Sequence, residues 1–213
     1  MPCCKKPANS PVKGAWQSSL HRLARCGLYL LLLAWGSLAY ADSISVNKTD
    51  VRVSEDSYQL AANFNIRLSF VVEQALSHGV AIYFVSEFNV TRSRWYWLDE
   101  EMIKSEHIIK LSYNVLTRQY RISHGALYQN FPTLEDALRV MQRQSSPAIL
   151  TDLFKKTGNY LAGARLRLDI EQLPKLLQVN ALTSKDWELD SGWYRWVIHP
   201  DEIAARQNSE VVH

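Results

Sequence analysis

The sequence predicts a mainly β protein: a single antiparallel β-sandwich-like domain with two or three short helices in its connections. Apolar and polar residues alternate over several segments, which is the period of a half-buried strand. Helical periodicity appears only in short stretches. No Pro/Gly/Ser-rich linker, long like-charge run or internal repeat divides the chain, so one domain is expected over residues 42–213.

Three segments show the clearest strand pattern. Residues 57–66, 79–90 and 162–171 each place apolar side chains on one face and mostly polar side chains on the other. The third segment has a charged face, which predicts a solvated outer side. The side chains predicted to face the core are Tyr58, Leu60, Ala62, Phe64 and Ile66; Val80, Ile82, Phe84, Phe88 and Val90; and Ala164, Leu166, Leu168 and Ile170.

Three short helices are predicted between the strands. The first covers residues 69–78 and has Gly79 as its C-terminal cap. The second begins at Thr133, which can cap an acidic first turn. The third starts at Pro174, a residue suited to a first helical turn. Their buried stripes are Val72, Ala75 and Leu76; Leu134, Ala137, Leu138 and Met141; and Leu176, Leu177 and Ala181.

Two hairpins can be predicted at the level of residues. Segments 106–113 and 118–124 flank a four-residue loop, and symmetric pairing brings their apolar residues together on one face. This register pairs Tyr113 with Arg118, Leu111 with Tyr120, Ile109 with Ile122 and His107 with His124. The second hairpin joins residues 187–189 to residues 193–198, with Gly192 in the left-handed conformation.

Residues 1–41 have the three parts of a secretory signal peptide. The basic region contains no acidic residue, and residues 27–38 form a leucine-rich core. From Cys26 to Ala41 there are 16 residues, fewer than the roughly 20 of a membrane-spanning helix. Ala39-Tyr40-Ala41 has the small-x-small cleavage pattern, so we expect cleavage before Asp42 and a periplasmic mature domain. The alternative is an uncleaved membrane anchor.

Cleavage would change the composition of the protein. The whole chain has 24 basic and 21 acidic residues, whereas the mature part would have 19 and 21, a net charge of −2. The basic balance of the precursor therefore gives no reason to expect nucleic-acid binding. Cys3, Cys4 and Cys26 also lie in the leader. A mature domain of about 172 residues would fold by core burial, without disulfides or thiolate metal sites.

The densest unusual segment lies between Thr91 and Glu101. Aromatic and Arg side chains are enriched at binding hot spots, so this segment is a candidate interaction surface. An unbroken strand from residue 80 would bury two arginines, which is costly without partners. A bulge between residues 88 and 95 would exchange the faces and bury the tryptophans instead. Core and binding surface both stay open for this set: Arg92, Arg94, Trp95, Tyr96, Trp97 and Asp99.

Motifs for catalysis or cofactor binding are weak. His107 and His124 are weak metal candidates as a cross-strand pair, but no third ligand is visible, and two rim histidines are the alternative. The sequence contains no Gly-x-Ser-x-Gly elbow, no His-Glu-x-x-His motif and no phosphate-binding glycine loop. We therefore predict no catalytic residue and no cofactor.

Three blocks of the sequence resemble domain-of-unknown-function family 4390, a family of exported proteobacterial proteins. They are residues 93–100 (SRWYWLDE), 113–121 (YNVLTRQYR) and 173–182 (LPKLLQVNAL). The resemblance implies the periplasm of a Gram-negative bacterium. It assigns no catalytic residue, and it hints at a membrane sensor kinase as a partner.

The sequence therefore favours a non-enzymatic module that binds a protein partner in the envelope, through edge strands or residues 92–97. The alternative is a small-ligand-binding module with an aromatic-lined pocket, and an envelope enzyme of unknown class is third. A deep apolar cleft containing Trp95 or Trp97 would favour the ligand, and a flat patch would favour the protein partner.

Overall fold

The structure, a computed structural model, describes residues 44–54, 57–92, 100–154 and 159–199. All of them belong to the unit Asp42–His213. No helix among these residues is long and apolar enough to cross a membrane. The strands are β1 Ile44–Ser54, β2 Ser57–Ile66, β3 Ile82–Arg92, β4 Glu100–Asn114, β5 Gln119–His124, β6 Leu127–Phe131, β7 Arg143–Ser145, β8 Ile149–Leu150, β9 Tyr160–Leu168 and β10 Tyr194–Ile198. The α-helices are α1 Phe70–Ser77, α2 Leu134–Met141 and α3 Lys175–Thr183, and 3-10 helices cover Thr151–Leu153, Ile170–Gln172 and Lys185–Trp187.

The strands form two antiparallel sheets. In the smaller sheet, β2 pairs with β1 on one side and with β7 and β8 on the other. The larger sheet has the strand order β10-β9-β3-β4-β5-β6. A hydrophobic cluster contains buried side chains from both sheets. The domain is therefore mainly β and sandwich-like, as the sequence predicts.

The predicted alternation is confirmed in β2, β3 and β9. The five inward side chains predicted in β2 are all buried, and so are those of β3 from Ile82 onward. In β9 the apolar residues are buried, whereas Arg165 and Arg167 lie on the outer face. Ile170 also packs against the core but is only half-buried, because β9 ends at Leu168 and the chain enters a 3-10 turn capped by Asp169.

β1 keeps its apolar side chains inside by means of a β-bulge. Its register with β2 shifts between Val46 and Lys48. Ile44 and Val46 contact the core before the bulge, and Val51 and Val53 contact it afterwards. The core-facing residues have even numbers before the bulge and odd numbers after it. The extra residue therefore keeps them on the same face of the sheet.

The three predicted helices are present. The Ser69 hydroxyl caps α1 by accepting from the Val72 N–H at 3.2 Å, and Gly79 takes a φ of 87° after its end. Thr133 caps α2 in the same way. The buried stripe predicted for α3 is confirmed at Leu177 and Ala181, which contact the core. It is wrong at Leu176, which is 87% exposed, whereas Leu173 before the helix is buried.

The predicted β4–β5 hairpin exists, but its predicted register is wrong by two residues. Leu111 pairs with Ile122 and not with Tyr120, and Tyr113 pairs with Tyr120 and not with Arg118. The two tyrosine rings have centroids 4.8 Å apart. A shift of two residues leaves every side chain on its predicted face, so the apolar pattern fits both registers equally well.

The turn between β4 and β5 selects the observed register. Asn114 closes the ladder opposite Gln119, so the four-residue loop lies one position later than predicted. The Asn114 side chain accepts hydrogen bonds from the N–H groups of Leu116 and Thr117, at 3.0 and 3.2 Å. Arg118 ends the loop with a φ of 53°. A side chain that bonds to its own turn is a local device of Asn and Asp.

The predicted C-terminal hairpin is wrong in its partner strand. β10 pairs with β9, with Trp196 opposite Ala162. The segment expected to be the other strand begins with the 3-10 helix Lys185–Trp187, because the Ser184 side chain caps it. Gly192 does take the predicted left-handed conformation, with a φ of 61°.

An irregularity lies where a bulge was predicted, but on the neighbouring strand. The β3–β4 register shifts between Val90 and Thr91, because Met102 is an extra residue in β4. β3 itself runs without a shift along β9 to its last residue, Arg92. The predicted exchange of faces therefore does not occur up to Arg92, which is half-buried.

Candidate functional site

The predicted interaction surface is described only at its first residue. Arg92 ends β3 and lies between Glu100 of β4 and Tyr160 of β9. The remaining predicted residues, Arg94, Trp95, Tyr96, Trp97 and Asp99, and those at the cleavage site, Ala39, Ala41 and Asp42, lie outside the described residues.

β4 begins beside Arg92 and has an unpaired edge. Only five of its fifteen residues, Lys110 to Asn114, pair with β5. On its other side β4 pairs with β3 from Glu100 to Leu111. No strand among the described residues pairs with the second side of residues 101–109, which we name the open edge. Unpaired N–H and C=O groups along a strand are a template for a further strand.

The turn between β5 and β6 limits the open edge at its C-terminal end, near residue 109. β5 ends at His124, and β6 turns back with Leu127 opposite His124. Gly125 takes a φ of 56° in this turn, a conformation in which glycine carries no steric penalty. β5 therefore ends after six residues. It does not extend along residues 101–109 of β4.

From Ile103 to Ile109, beyond the extra residue Met102, the side chains of the open edge alternate between the two faces of the sheet. Ser105 lies opposite the buried Phe88 and faces the core. Lys104, Glu106 and Ile108 face the outer side, where Ile108 is 52% exposed. An added strand would therefore meet an inner row that includes Ser105 and His107 and an outer row of Lys104, Glu106 and Ile108.

Lys104 and Glu106 form an ion pair along the outer row. The Lys104 Nζ lies 2.9 Å from the Glu106 Oε1. The hydrogen bond and the charge of Glu106 raise the pKa of Lys104 above its ordinary value, and Lys104 lowers the pKa of Glu106 in return. Both groups therefore stay charged at neutral pH. Charged side chains on an edge strand restrict which strands can pair with it.

Two serine hydroxyls lie buried on the inner face beside the open edge. Ser86 is fully buried and pairs with His107 across the β3–β4 ladder. Neither the Ser86 Oγ nor the Ser105 Oγ has a hydrogen-bond partner within the described part of the chain. A buried hydroxyl without a partner costs about 1–3 kcal/mol. Ser105 lies on the open edge, so its missing partner can come from another chain.

The predicted pairing of His107 with His124 is wrong. His107 pairs with Ser86, and the β4–β5 register places His124 two residues away along β4. Partial desolvation lowers the pKa of His124, and the charge of His107 lowers it further. No group of three or more His, Cys, Asp or Glu suited to a metal occurs among the described residues.

A buried carboxylate lies on the outer face next to the open edge. The Glu87 Oε2 is 3.7 Å from the Arg165 Nη1 and 3.4 Å from the Arg167 Nε. Arg165 also donates two hydrogen bonds to Asp190. Partial burial opposes the ionisation of Asp190, but Arg165 and the Gly192 N–H lower its pKa below the ordinary value. The alternation in β9 predicts the outward arginines, but it does not identify Glu87 as their partner.

Two surface cavities give no support to an aromatic-lined ligand pocket. One, of about 400 Å³, lies between α1 and α2, and the other, of about 480 Å³, lies between the end of β9 and α3. Aliphatic, charged and amide side chains line both, without an aromatic residue: Ile66, Glu73, Leu134, Glu135, Leu138, Arg139 and Gln142 in the first, and Arg167, Leu168, Asp169, Ile170, Glu171, Gln178 and Leu182 in the second.

The described residues thus define a β-sandwich-like protein whose largest sheet has an open strand edge. The sequence matches the family model described as "Domain of unknown function (DUF4390)" over residues 41–197. The chain belongs to this family, which confirms the resemblance carried by the three sequence blocks. Neither the curated proteins nor the solved structures give a match.

Proposed function

We propose that this protein is an exported, non-enzymatic interaction module that accepts an extended strand of a second protein chain along residues 101–109 of β4. One observation carries the proposal: β5 covers five residues of a fifteen-residue strand, and no other described strand pairs with that side of the remaining residues. Strand addition satisfies such backbone groups directly, and the alternating side chains select the partner.

The dimensions of the open edge suit a peptide strand. Nine residues extend over about 30 Å at 3.4 Å per residue. The β5–β6 turn would stop an added strand at one end, so that its register is defined rather than sliding. Within the described part of the chain, no neighbouring strand limits other edges such as β1 and β10 in this way.

We place this interaction in the periplasm of a Gram-negative bacterium. The signal-peptide pattern of residues 1–41 supports export, and the net charge of −2 expected after cleavage favours a protein over a nucleic acid as the partner. A protein of the envelope, such as the membrane sensor kinase to which the family resemblance points, would offer the strand.

Site-specific photocrosslinking in living cells tests the proposal. A photoreactive amino acid replaces Ile108, which is 52% exposed on the open edge, or Val197, which is 55% exposed on the edge strand β10. We expect a discrete crosslinked product from position 108 and no such product from position 197. The proposal is wrong if position 108 gives no product, or the same products as position 197.

A further inference from the structure

We infer that the open edge selects an antiparallel strand that carries a basic, a hydroxyl-bearing and an acidic side chain in successive positions from its N-terminal to its C-terminal end. The basic residue lies opposite Glu106, the hydroxyl opposite Ser105 and the acid opposite Lys104. This inference rests on the proposed function and identifies the partner by the sequence of the strand that it offers.

The regular part of the open edge covers residues 103–107. On its N-terminal side the extra residue Met102 interrupts the β3–β4 register, which then runs without a shift from Ile103 to Leu111. On its C-terminal side Ser123 of β5 pairs with Lys110, so the end of β5 lies level with residue 109. A short strand opposite residues 103–107 therefore avoids both the bulge and the end of β5.

The antiparallel direction is favoured by the rest of the sheet. Every ladder of the six-stranded sheet in the described part of the chain is antiparallel. Antiparallel pairs are also slightly more stable per residue than parallel pairs. From its N-terminal end, the added strand therefore passes Glu106 first, then Ser105 and then Lys104.

The outer row of the open edge sets the order of the charged residues. Lys104 and Glu106 are about half exposed, and each can contact a side chain directly opposite on an added strand. On its other side, Glu106 already lies opposite Glu87 of β3. A further acid in this row would be repulsive and a base would be attractive, whereas Lys104 favours an acid.

The inner row sets the residue between the two charges. The Ser105 Oγ is buried and has no hydrogen-bond partner within the described part of the chain. A residue directly opposite would have its Cβ about 4.5–5.5 Å away on the same face, and a hydroxyl there can donate and accept. Ile103, the next inner residue but one, packs against the core, so an apolar residue is favoured opposite it.

Peptide binding tests the order of the charges with the full-length chain, exported and purified from the envelope fraction. The probe is the acetylated peptide Thr-Lys-Ser-Glu-Val, with a fluorophore at its C-terminal end, away from the β5–β6 turn. Its matched control, Thr-Glu-Ser-Lys-Val, has the same composition with the charges exchanged. We expect fluorescence anisotropy to show about tenfold tighter binding of the probe, because two attractive pairs replace two repulsive ones.

Exchanging the charges of the protein should reverse this preference. The double variant K104E/E106K should bind the control peptide about tenfold more tightly than the probe. It keeps the pairing of opposite charges within β4, so its thermal stability should match that of the wild type. That match separates a change of selectivity from a loss of folding.

A substitution at Ser105 tests the hydroxyl independently. Replacing the central Ser of the probe by Ala should weaken binding to the wild type about fivefold, because one hydrogen bond is lost. With Ser105→Ala, the two peptides should bind equally. Ser112→Ala is the matched control, since Ser112 also lies in β4 but pairs with Arg121 of β5, and it should keep the fivefold difference.

The outcomes separate this inference from the proposed function. Equal binding of the probe and its control, tighter binding of the control by the wild type, or no binding of either peptide would overturn the inferred order of charges. An Ala peptide that binds the wild type as tightly as the probe would overturn the role of the hydroxyl. A discrete crosslinked product from position 108 in cells would still identify the open edge as a strand-accepting site, with a partner of another sequence. If position 108 gives no product either, both fail together.

Discussion

Glu87 is a carboxylate held almost wholly out of solvent on the outer face of the large sheet. Its side chain is 8% exposed, whereas those of Arg165 and Arg167 are 28% and 32% exposed. The guanidinium groups of both arginines contact the carboxylate, so they shield it from water and supply the opposite charge. The sequence indicates the outward arginines through alternation in β9, but it does not show which strand brings them an acid. Glu87 could have been suspected because it interrupts an apolar strand at an outward position.

Replacement of Glu87 by Gln should lower the free energy of unfolding by about 1–3 kcal/mol, because hydrogen bonds to charged groups are lost from a buried position. Glu106→Gln is the matched control, since Glu106 lies opposite Glu87 on the same face but forms an exposed ion pair. The control should change stability little. Urea denaturation of both variants gives the comparison, and equal losses would contradict the role of burial.

His124 should make the protein less stable in mild acid. Partial desolvation, and to a smaller degree His107, lower its pKa in the folded state, whereas the unfolded chain keeps an ordinary value of about 6.5. As the pH falls through this range, the unfolded state therefore binds more protons than the folded state. The contribution of neutral His124 to stability is complete above the unfolded pKa and is lost as the pH falls. Relative to His124→Gln, the wild type should lose stability between pH 8 and pH 5.

The matched variant for this titration is His107→Gln. It removes the smaller, electrostatic contribution to the lowered pKa of His124 and leaves the contribution of desolvation. Its loss of stability on acidification should be reduced but still present. Thermal denaturation at a series of pH values measures both effects. A difference between wild type and His124→Gln that does not change with pH would contradict the prediction.

At the scale of elements, alternation predicted which faces are buried but not which residues pair. The β4–β5 hairpin shows why: registers that differ by two residues bury the same side chains. The choice between them depends on the turn, where Asn114 bonds to two backbone N–H groups and Arg118 adopts a positive φ. The pattern of apolar residues carries no information about such local hydrogen bonds.

The observed register predicts that Tyr113 and Tyr120 stabilise each other. A double-mutant cycle with Tyr113→Ala and Tyr120→Ala should give a coupling energy of about 0.5–1.5 kcal/mol, as expected for an aromatic pair. The control cycle joins Leu111 with Tyr120, the pair of the register predicted from the sequence, and should give a smaller coupling. A larger coupling in the control would support that register instead.

The open edge could not be predicted, because strand length is poorly encoded in alternation. The apolar pattern predicts a first arm that begins at residue 106 and two arms of similar length, whereas β4 starts at Glu100 and β5 has six residues. The mismatch arises from the turn at Gly125, which sends the chain back as β6. An open edge is therefore a property of two strands and a turn together.

At the scale of the whole molecule, the period of two was sufficient to predict the fold class. Residues from β2, β3 and β9 enter a common core at the positions that alternation indicates. The partner of β10 was not predictable, because β9 lies about thirty residues earlier in the sequence and long-range pairing depends on the assembled sheet.

Export makes a prediction about the mature chain. Mass spectrometry of protein purified from the envelope should find an N-terminus at Asp42, since Ala39 and Ala41 provide the small residues before the cleavage site. Substitution of Ala41 by a large residue such as Phe should block processing and retain the protein at the membrane. Mature protein that begins at Met1 would contradict export by this route.

If the chain is cleaved before Asp42 as predicted, the position of β1 affects the order in which the domain assembles. Ile44 is fully buried and pairs with Ile66, so the first strand enters the fold almost at once after the expected cleavage point. A peptidase has to enclose the residues around the bond that it cuts, and a strand already seated beside β2 would keep them out of its reach. The first strand to be synthesised would then be among the last to dock. The sandwich would then be completed only after the chain is released from the membrane. In an unprocessed chain, β1 would not yet be paired with β2.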